Sequence, residues 1–260
     1  MQNKKRKLIS LQMIQFELRK TIGNPYVHIF GVGFPILLVN IIAHSIATEI
    51  TDEAMLSMII TTLFLGIGTI IPLATVLMGY GVSRAQELEK GIPQRMELFG
   101  IKTRTALCNR VVAEGIFMIF AFCIYFGVGY LCLDLEVPVV SGVLLYIVCI
   151  LALSGIVFCL AYAIATIFKK FGVTYCITML IYFAIMIFSG MMGISYDSMS
   201  GGMQAVAKLL PTTYINNDFY TVWVGESYNF VPMVQSYLFF AAVAGIMLFI
   251  AIKRTARKLH

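Results

Sequence analysis

The sequence predicts an all-α polytopic membrane protein with six transmembrane helices and both termini on the cytoplasmic side. Three observations lead there. First, 60% of the 260 residues are apolar and only 12% are charged, whereas a soluble domain carries roughly 45–50% apolar and about 25% charged residues. A water-soluble globule of this size could not hide so much apolar surface, which excludes a cytosolic enzyme, a disordered chain and a disulfide scaffold. Second, the apolar residues gather into runs near 27–48, 56–82, 106–133, 139–168, 173–192 and 233–252, and a helix needs about 20 such residues to cross the hydrocarbon. Third, with both ends inside, eighteen of the 19 basic residues fall on the inner side and Lys208 on the outer, where eight of the 13 acids also lie. That is the segregation expected from the positive-inside rule. The net charge of +6 therefore reports topology and anionic inner-leaflet lipid, and no nucleic-acid partner is expected. Residues 1–260 read as one membrane domain with no soluble domain attached.

The elements follow in order. Lys4, Lys5, Arg6 and Lys7 precede Leu8–Ile22, which a signal peptide would match only if it were not interrupted by Gln12, Gln15, Glu17, Arg19 and Lys20. Leu8, Leu11, Ile14, Leu18 and Ile22 recur every three or four residues, with Ser10, Gln12, Gln15, Glu17 and Arg19 on much of the other side. This predicts an amphipathic helix lying in the inner interface, either as an anchor or as a lever on which a partner pushes. Gly23-Asn24-Pro25 ends it, and Gly31, Gly33 and Pro35 mark a bent segment in span one. Thr62, Gly66 and Thr69 share a face of span two, above a kink at Pro72.

Between spans two and three, Arg84–Lys90 is charged and helix-prone, and Gly91-Ile92-Pro93 breaks it. Pro93 suits the first position of a new short helix, and Gly100 can end that helix in a left-handed conformation. The short helix is predicted to present Met96, Leu98 and Phe99, rimmed by Arg95, Glu97 and Lys102. Apolar side chains with a charged rim suit docking of a soluble protein, or a connection folded back on the headgroups. In span three Glu114 lies one turn beyond Arg110, the spacing of an i,i+4 salt bridge. Span five carries a stripe of Thr174, Thr178, Tyr182 and Ser189. Such neutral polar stripes serve helix packing, or line a weakly polar pathway for an amphipathic substrate.

Outside the membrane, Met203–Leu210 lies between Gly201-Gly202 and Pro211 and is too short to span, so it is expected to dip into the outer leaflet and return. Tyr214, Phe219, Tyr220 and Trp223 suit the aromatic belt at the interface. The six cysteines all fall in predicted spans without a C-x-x-C pair and read as small packing residues.

Chemistry in the chain itself is not expected. The hydrocarbon centre holds no Asp, Glu, Lys or Arg, which argues against ion-coupled transport. His28 and His44 stand about 24 Å apart along a helix, and no H-E-x-x-H or G-x-x-x-x-G-K-[ST] motif occurs. No catalytic residue, metal ligand or bound cofactor is predicted.

These features together resemble the ABC type-2 transporter permease family, the membrane subunits of one class of ATP-binding-cassette exporters. The resemblance covers nearly the whole chain. Glu87-Leu88-Glu89-Lys90-Gly91-Ile92-Pro93-Gln94-Arg95-Met96 is similar to the family's acidic-Gly-x-x-x-Arg pattern leading to the coupling helix. Ser189-Gly190 looks like its Ser-Gly signature, and Leu210-Pro211-Thr212-Thr213-Tyr214 is similar to its Pro-x-x-Tyr segment. The sequence departs from the family in lacking a proline soon after the coupling helix, at Gly100-Ile101, and after the Ser-Gly pair, at Gly193-Ile194-Ser195. The resemblance implies a second permease subunit and a separate ATPase subunit that carries ATP and Mg. Leu88, Met96, Leu98 and Phe99 would sit in or near a groove of that ATPase, with Glu87, Glu89, Lys90 and Arg95 in polar contacts. Spans one, two and five would line the pathway, through Thr62, Gly66, Thr69, Thr174, Thr178, Tyr182 and Ser189. Pro211 and Tyr214 would belong to the exit. A bacterial plasma membrane is the implied setting, and an amphipathic drug or antimicrobial-type peptide the implied substrate. Export of lipid or polysaccharide, and substrate capture for a vitamin importer, are the alternatives.

Overall fold

The computed structural model describes residues 8–194 and 196–256. The basic residues Lys4, Lys5, Arg6, Lys7, Arg257 and Lys258, and His260, lie outside them, as does Ser195. Among the described residues six helices are long and apolar enough to cross a membrane, and no strand occurs. In chain order the elements are α1 (Leu11–Ile22), the spans α2 (Pro25–Ala47) and α3 (Glu53–Glu89), α4 (Ile92–Leu98), and the spans α5 (Thr103–Cys132), α6 (Val140–Phe168) and α7 (Phe171–Phe188). Three short helices follow, α8 (Gly201–Ala207), α9 (Pro211–Asn217) and α10 (Phe219–Trp223), before the last span, α11 (Val231–Ala256).

Local chemistry starts each span. Asn24 accepts the Tyr26 amide at 3.1 Å, and Pro25 occupies the first turn of α2. Asp52 accepts the Ala54 and Met55 amides at the start of α3. Glu89, at the end of α3, accepts the Phe171 amide at 2.9 Å and so caps α7. Each of these satisfies amides that no intrahelical carbonyl can reach.

The bundle is organised around α3, 37 residues long. Ile60, Phe64, Leu65, Ile67, Ile70, Ile71, Leu73, Leu77 and Met78 of this span are all buried, because α2, α5, α6 and α7 surround it and α9 and α10 pack on its outer half. A run buried on all sides loses the amphipathic stripe of a surface helix. The span is not a regular helix throughout. Pro72 has no amide to donate, and Leu73–Tyr80 winds as a π-helix, beside a second π segment at Ile29–Gly33 of α2.

A break just before Pro72 also frees a carbonyl. The Thr69 amide bonds Gly66 O at 3.0 Å rather than Leu65 O. The Tyr146 hydroxyl of α6 donates to Leu65 O at 2.9 Å in its place, and Tyr125 of α5 donates to Phe64 O at 2.8 Å. An unsatisfied carbonyl at this depth would cost several kcal/mol.

Three sequence expectations need correction. The connection between spans two and three begins later than Ser83, because Arg84–Glu89 continues the span as helix instead of leaving it. The aromatic segment expected at the interface, α9–α10, enters the bundle instead. Thr212, Ile215, Asn216, Phe219 and Trp223 are buried, whereas α8 buries Ala207 and leaves Val206 and Leu209 exposed. Phe219 and Trp223 are therefore core residues and not belt residues. They pack with Tyr146, Cys149 and Leu65, and the Trp223 indole donates to Glu136 O at 3.1 Å. Of the cysteines, Cys149 is buried, whereas Cys123, Cys132 and Cys176 lie exposed on the outside of the bundle.

Removing the Tyr146 hydroxyl tests the repair of the broken span. The Tyr146→Phe variant is expected to lose about 1–3 kcal/mol of stability, read as a lower melting temperature in detergent. An unchanged melting temperature would show that Leu65 O needs no partner.

Candidate functional site

Among the described residues the basic ones other than Lys208 gather at one end of the bundle, which also holds α1, α4 and the α6–α7 turn. There α4 stands out from the body. Gly91 and Gly100, both left-handed (φ +65° and +76°), bracket it, and Pro93 lies in its first turn. Behind it the Ile101 amide bonds Met96 O at 2.9 Å, and Thr103 donates to Glu97 at 2.6 Å. Two apolar side chains project from its tip: Leu98 is 87% exposed and Phe99 76%. Arg95 and Lys102 are exposed beside them.

Met96 does not project with them. With Pro93, Ile101 and Leu107 it covers a cavity of about 20 Å³ whose other walls are Glu17, Arg84, Glu87 and Arg110, which is room for about one water molecule. Met96 lies two residues before Leu98 and so on a different face, and Phe99 is the C-cap beyond the last helical residue. Leu88 is half-buried on the end of α3.

Under α4 lies a cluster of charges. Glu17 of α1 is 3% exposed and takes Arg110 of α5 at 3.0 Å and Lys20 at 2.9 Å. Arg110 also pairs with Glu114 at 2.9 Å, as its spacing predicted, and Thr21 donates to Glu114 at 3.1 Å. Lys20 reaches across to Glu87 of α3, which Arg84 meets at 3.3 Å. The guanidinium groups of Arg84 and Arg110 lie 5.9 and 5.6 Å from the rings of Tyr162 and Tyr80, a favourable cation–π range. Three acids oppose three bases, so the cluster is neutral when all are ionised, the condition under which charges tolerate burial.

The amphipathic pattern of α1 left open which side meets the bundle: Glu17 and Thr21 are buried, while Leu11 is 71% exposed and Phe16 and Ile22 are exposed. The cause is the complementary pair on α5. The start of α1 is held the same way, Asn109 of α5 accepting the Ser10 amide at 2.9 Å and donating to Leu8 O at 3.0 Å. Sequence reasoning missed Glu17, Thr21, Arg84 and Asn109. The available signal was that Glu17–Thr21 and Arg110–Glu114 are both i,i+4 polar pairs on otherwise apolar helix faces. Glu87 and Glu89, expected to face a partner, are committed inside the chain to Lys20, Arg84 and the Phe171 amide. Lys90 is exposed.

At the opposite end, two segments singled out in the sequence meet. The Ser189 and Thr212 hydroxyls are 2.5 Å apart, which joins Ser189-Gly190 to the start of α9, where Pro211 is buried. Gly190 is left-handed (φ +79°), a conformation that penalises any other residue. A Cβ on Gly66 would lie 1.9 Å from Asn216 Oδ1, so α9 seats Asn216 in a notch of α3. Thr69 bonds Gly66 O at 2.7 Å and approaches the Met191 sulfur at 3.8 Å. Tyr214 is half-buried and donates to Lys208 O at 3.1 Å.

Of the candidate pathway residues, Thr174, Thr178, Tyr182 and Ser189 are fully buried, and Thr178 packs near Gly81 of α3. The Thr174 and Tyr182 hydroxyls have no hydrogen-bond partner. Thr62 is half-buried and bonds Met58 O at 2.8 Å. The structure thus unites Gly66, Thr69 and Ser189 with α9, and sets Thr174 and Thr178 nearer the basic end.

Six membrane-length helices, an exposed short helix on buried ion pairs at one end and short helices folded back into the bundle at the other define a multi-pass membrane transport subunit. The chain belongs to the ABC-2 family: the family model described as ABC-2 family transporter protein matches residues 10–253. It is accordingly the permease subunit of an ABC transporter, and its partner is an ABC ATPase subunit. No curated protein and no solved structure matches it.

Removing one side of the charge cluster tests its role. Arg110→Met leaves Glu114 with no ion partner and Glu17 with Lys20 alone, and is expected to cost about 3–5 kcal/mol. Gln12→Ala on the exposed face of α1 is expected to stay within about 0.5 kcal/mol. Thermal unfolding of the purified protein reads both.

Proposed function

We propose that this permease exports an amphipathic drug or antimicrobial-type peptide across a bacterial inner membrane. It pairs with a second permease subunit and is driven by a separate ATPase that binds ATP and Mg. The observation that carries the reading is the tip of α4, where Leu98 and Phe99 stand exposed on a helix backed by buried ion pairs. An apolar tip with a basic rim suits a groove on a soluble partner better than it suits water. In this reading the basic end faces the cytoplasm, as its charge implies.

The mechanism follows from what α4 touches. Closure of the ATPase on ATP displaces α4 at its tip. Met96 and Pro93 lie directly over the walls formed by Glu17, Arg84, Glu87 and Arg110, so α1 and the inner ends of α3 and α5 move with α4 as one piece. Because α3 is continuous with this unit, its motion reaches the seat of α9 about Gly66. Separation of α7 from α3 would then expose the unpartnered Thr174 and Tyr182 hydroxyls to a weakly polar substrate. The chain needs no ionisable group of its own at depth, since the energy enters at α4.

Co-purification tests the docking. Leu98→Asp with Phe99→Asp is expected to reduce the ATPase recovered with the permease by at least about tenfold, with little change in permease melting temperature. Met96→Asp places a charge over the buried cluster and is expected to lower the melting temperature instead. Full ATPase recovery with the Leu98, Phe99 double variant would sink the reading.

A further inference from the structure

The acidic end of the bundle holds a second feature that ATP-driven coupling does not use. A cavity of about 590 Å³ opens between the α8–α9 turn and the first turns of α11, with Lys208, Asp218, Tyr196, Tyr214, Thr213 and Ser236 among its walls. That volume lies in the range of small-ligand sites. Its charges are few and separate. Lys208 is the one basic residue between positions 193 and 232, and its ammonium forms no ion pair among the described residues. Asp218 is half-buried, and its Oδ2 accepts the Tyr228 hydroxyl at 3.2 Å. Thr213 is 4% exposed, and its hydroxyl has no hydrogen-bond partner.

The site is built rather than incidental. The Tyr214 hydroxyl fixes the Lys208 carbonyl, so the lysine is carried on a held turn. Burial raises the Asp218 carboxyl above its usual range, against the opposing Tyr228 hydrogen bond, and a cation placed beside it would relieve that cost. Leu209 lines the cavity and is 40% exposed, and Val206, Val231 and Val234, close in sequence to lining residues, are exposed as well. A freely soluble zwitterion would gain nothing from these, whereas a molecule with acyl chains would cover them.

We propose that this cavity binds the head group of a zwitterionic phospholipid of the outer leaflet, with its phosphate on Lys208 and its ammonium on Asp218. The tyrosine rings of Tyr196 and Tyr214 line the same space and suit the cation. The chains of the lipid run along the exposed valines of α11. The site goes beyond substrate export, since it makes an outer-leaflet lipid a resident of the permease.

The test is native mass spectrometry of the assembled transporter, released from nanodiscs containing equal amounts of phosphatidylethanolamine and phosphatidylglycerol. Wild type is expected to retain phosphatidylethanolamine preferentially. Lys208→Gln is expected to lower retention of both lipids about tenfold, whereas Asp218→Asn abolishes the preference and leaves phosphatidylglycerol bound. Soluble phosphoethanolamine is expected to compete poorly. Lipid retention that neither substitution changes overturns the proposal, and so does displacement by phosphoethanolamine as effective as by the intact lipid. Recovery of the ATPase with both variants is read in the same samples and separates this outcome from failure of the docking at α4.

Discussion

The ionised cluster centred on Glu17 governs how the basic end of this protein is put together. A carboxylate that is 3% exposed cannot be left alone at the margin of a membrane, because the desolvation penalty is several kcal/mol. Arg110 and Lys20 meet it. Arg110 in turn requires Glu114, and Lys20 requires Glu87, which Arg84 completes. Two of these pairs, Glu17–Arg110 and Lys20–Glu87, cross between helices, so the need to neutralise one buried acid joins α1, α3 and α5. Apolar contacts alone would let these helices slide, since lipid is as apolar as they are. Directed ion pairs hold their register.

That register matters because α4 has little else to lean on. It is a seven-residue helix, too short to be stable in isolation, and its stiffness is borrowed from the cluster beneath it and from the end of α3. The same span supplies the other half of the transmission. Its outer half is clasped by α9, its middle is a π segment beside the π segment of α2, and its inner end anchors Glu87 and caps α7. Such π-helical turns are frequent at functional sites. The Pro72 break lies between the inner part of the span, which carries Glu87, and the outer part that seats α9, so in the coupling proposed above a load would have to cross it.

How much was legible in the sequence differs between hydrocarbon and ends. Spans could be read because the bilayer imposes one rule on each, and predicted limits differ from the observed ones by a few residues, except at Arg84–Glu89. There, charged residues imitated a connection, since pairing partners on α1 and the capping duty of Glu89 are invisible along one chain. The fate of Glu17 was hidden for the same reason: a local amphipathic pattern reports two faces but not which of them meets protein. Phe219 and Trp223 look identical to belt residues until the notch at Gly66 and the close packing of Tyr146 give α9–α10 a place inside. By contrast the α4 turn could be read in detail, because proline fixes φ and glycine admits the left-handed conformation that a turn requires, irrespective of what surrounds them.

The two ends are consequently held by different physics. At the basic end, charges in a neutral cluster make separation of the helices costly and keep them moving as one piece. At the acidic end, α9–α10 is retained by a hydroxyl pair at Ser189–Thr212, by the fit of Asn216 against Gly66 and by burial of Ile215, Phe219 and Trp223, contacts that are short-ranged and carry no net charge. A hydrogen bond between neutral groups contributes about 0.5–1.5 kcal/mol net, well below the cost of breaking a buried ion pair. In the coupling proposed above, a load applied at α4 would be carried through the basic end as one piece and reach the outer helices by way of α3. There it would have to shift directed neutral contacts and the packing of Ile215, Phe219 and Trp223, which can re-form after a small displacement in a way that separated buried charges cannot.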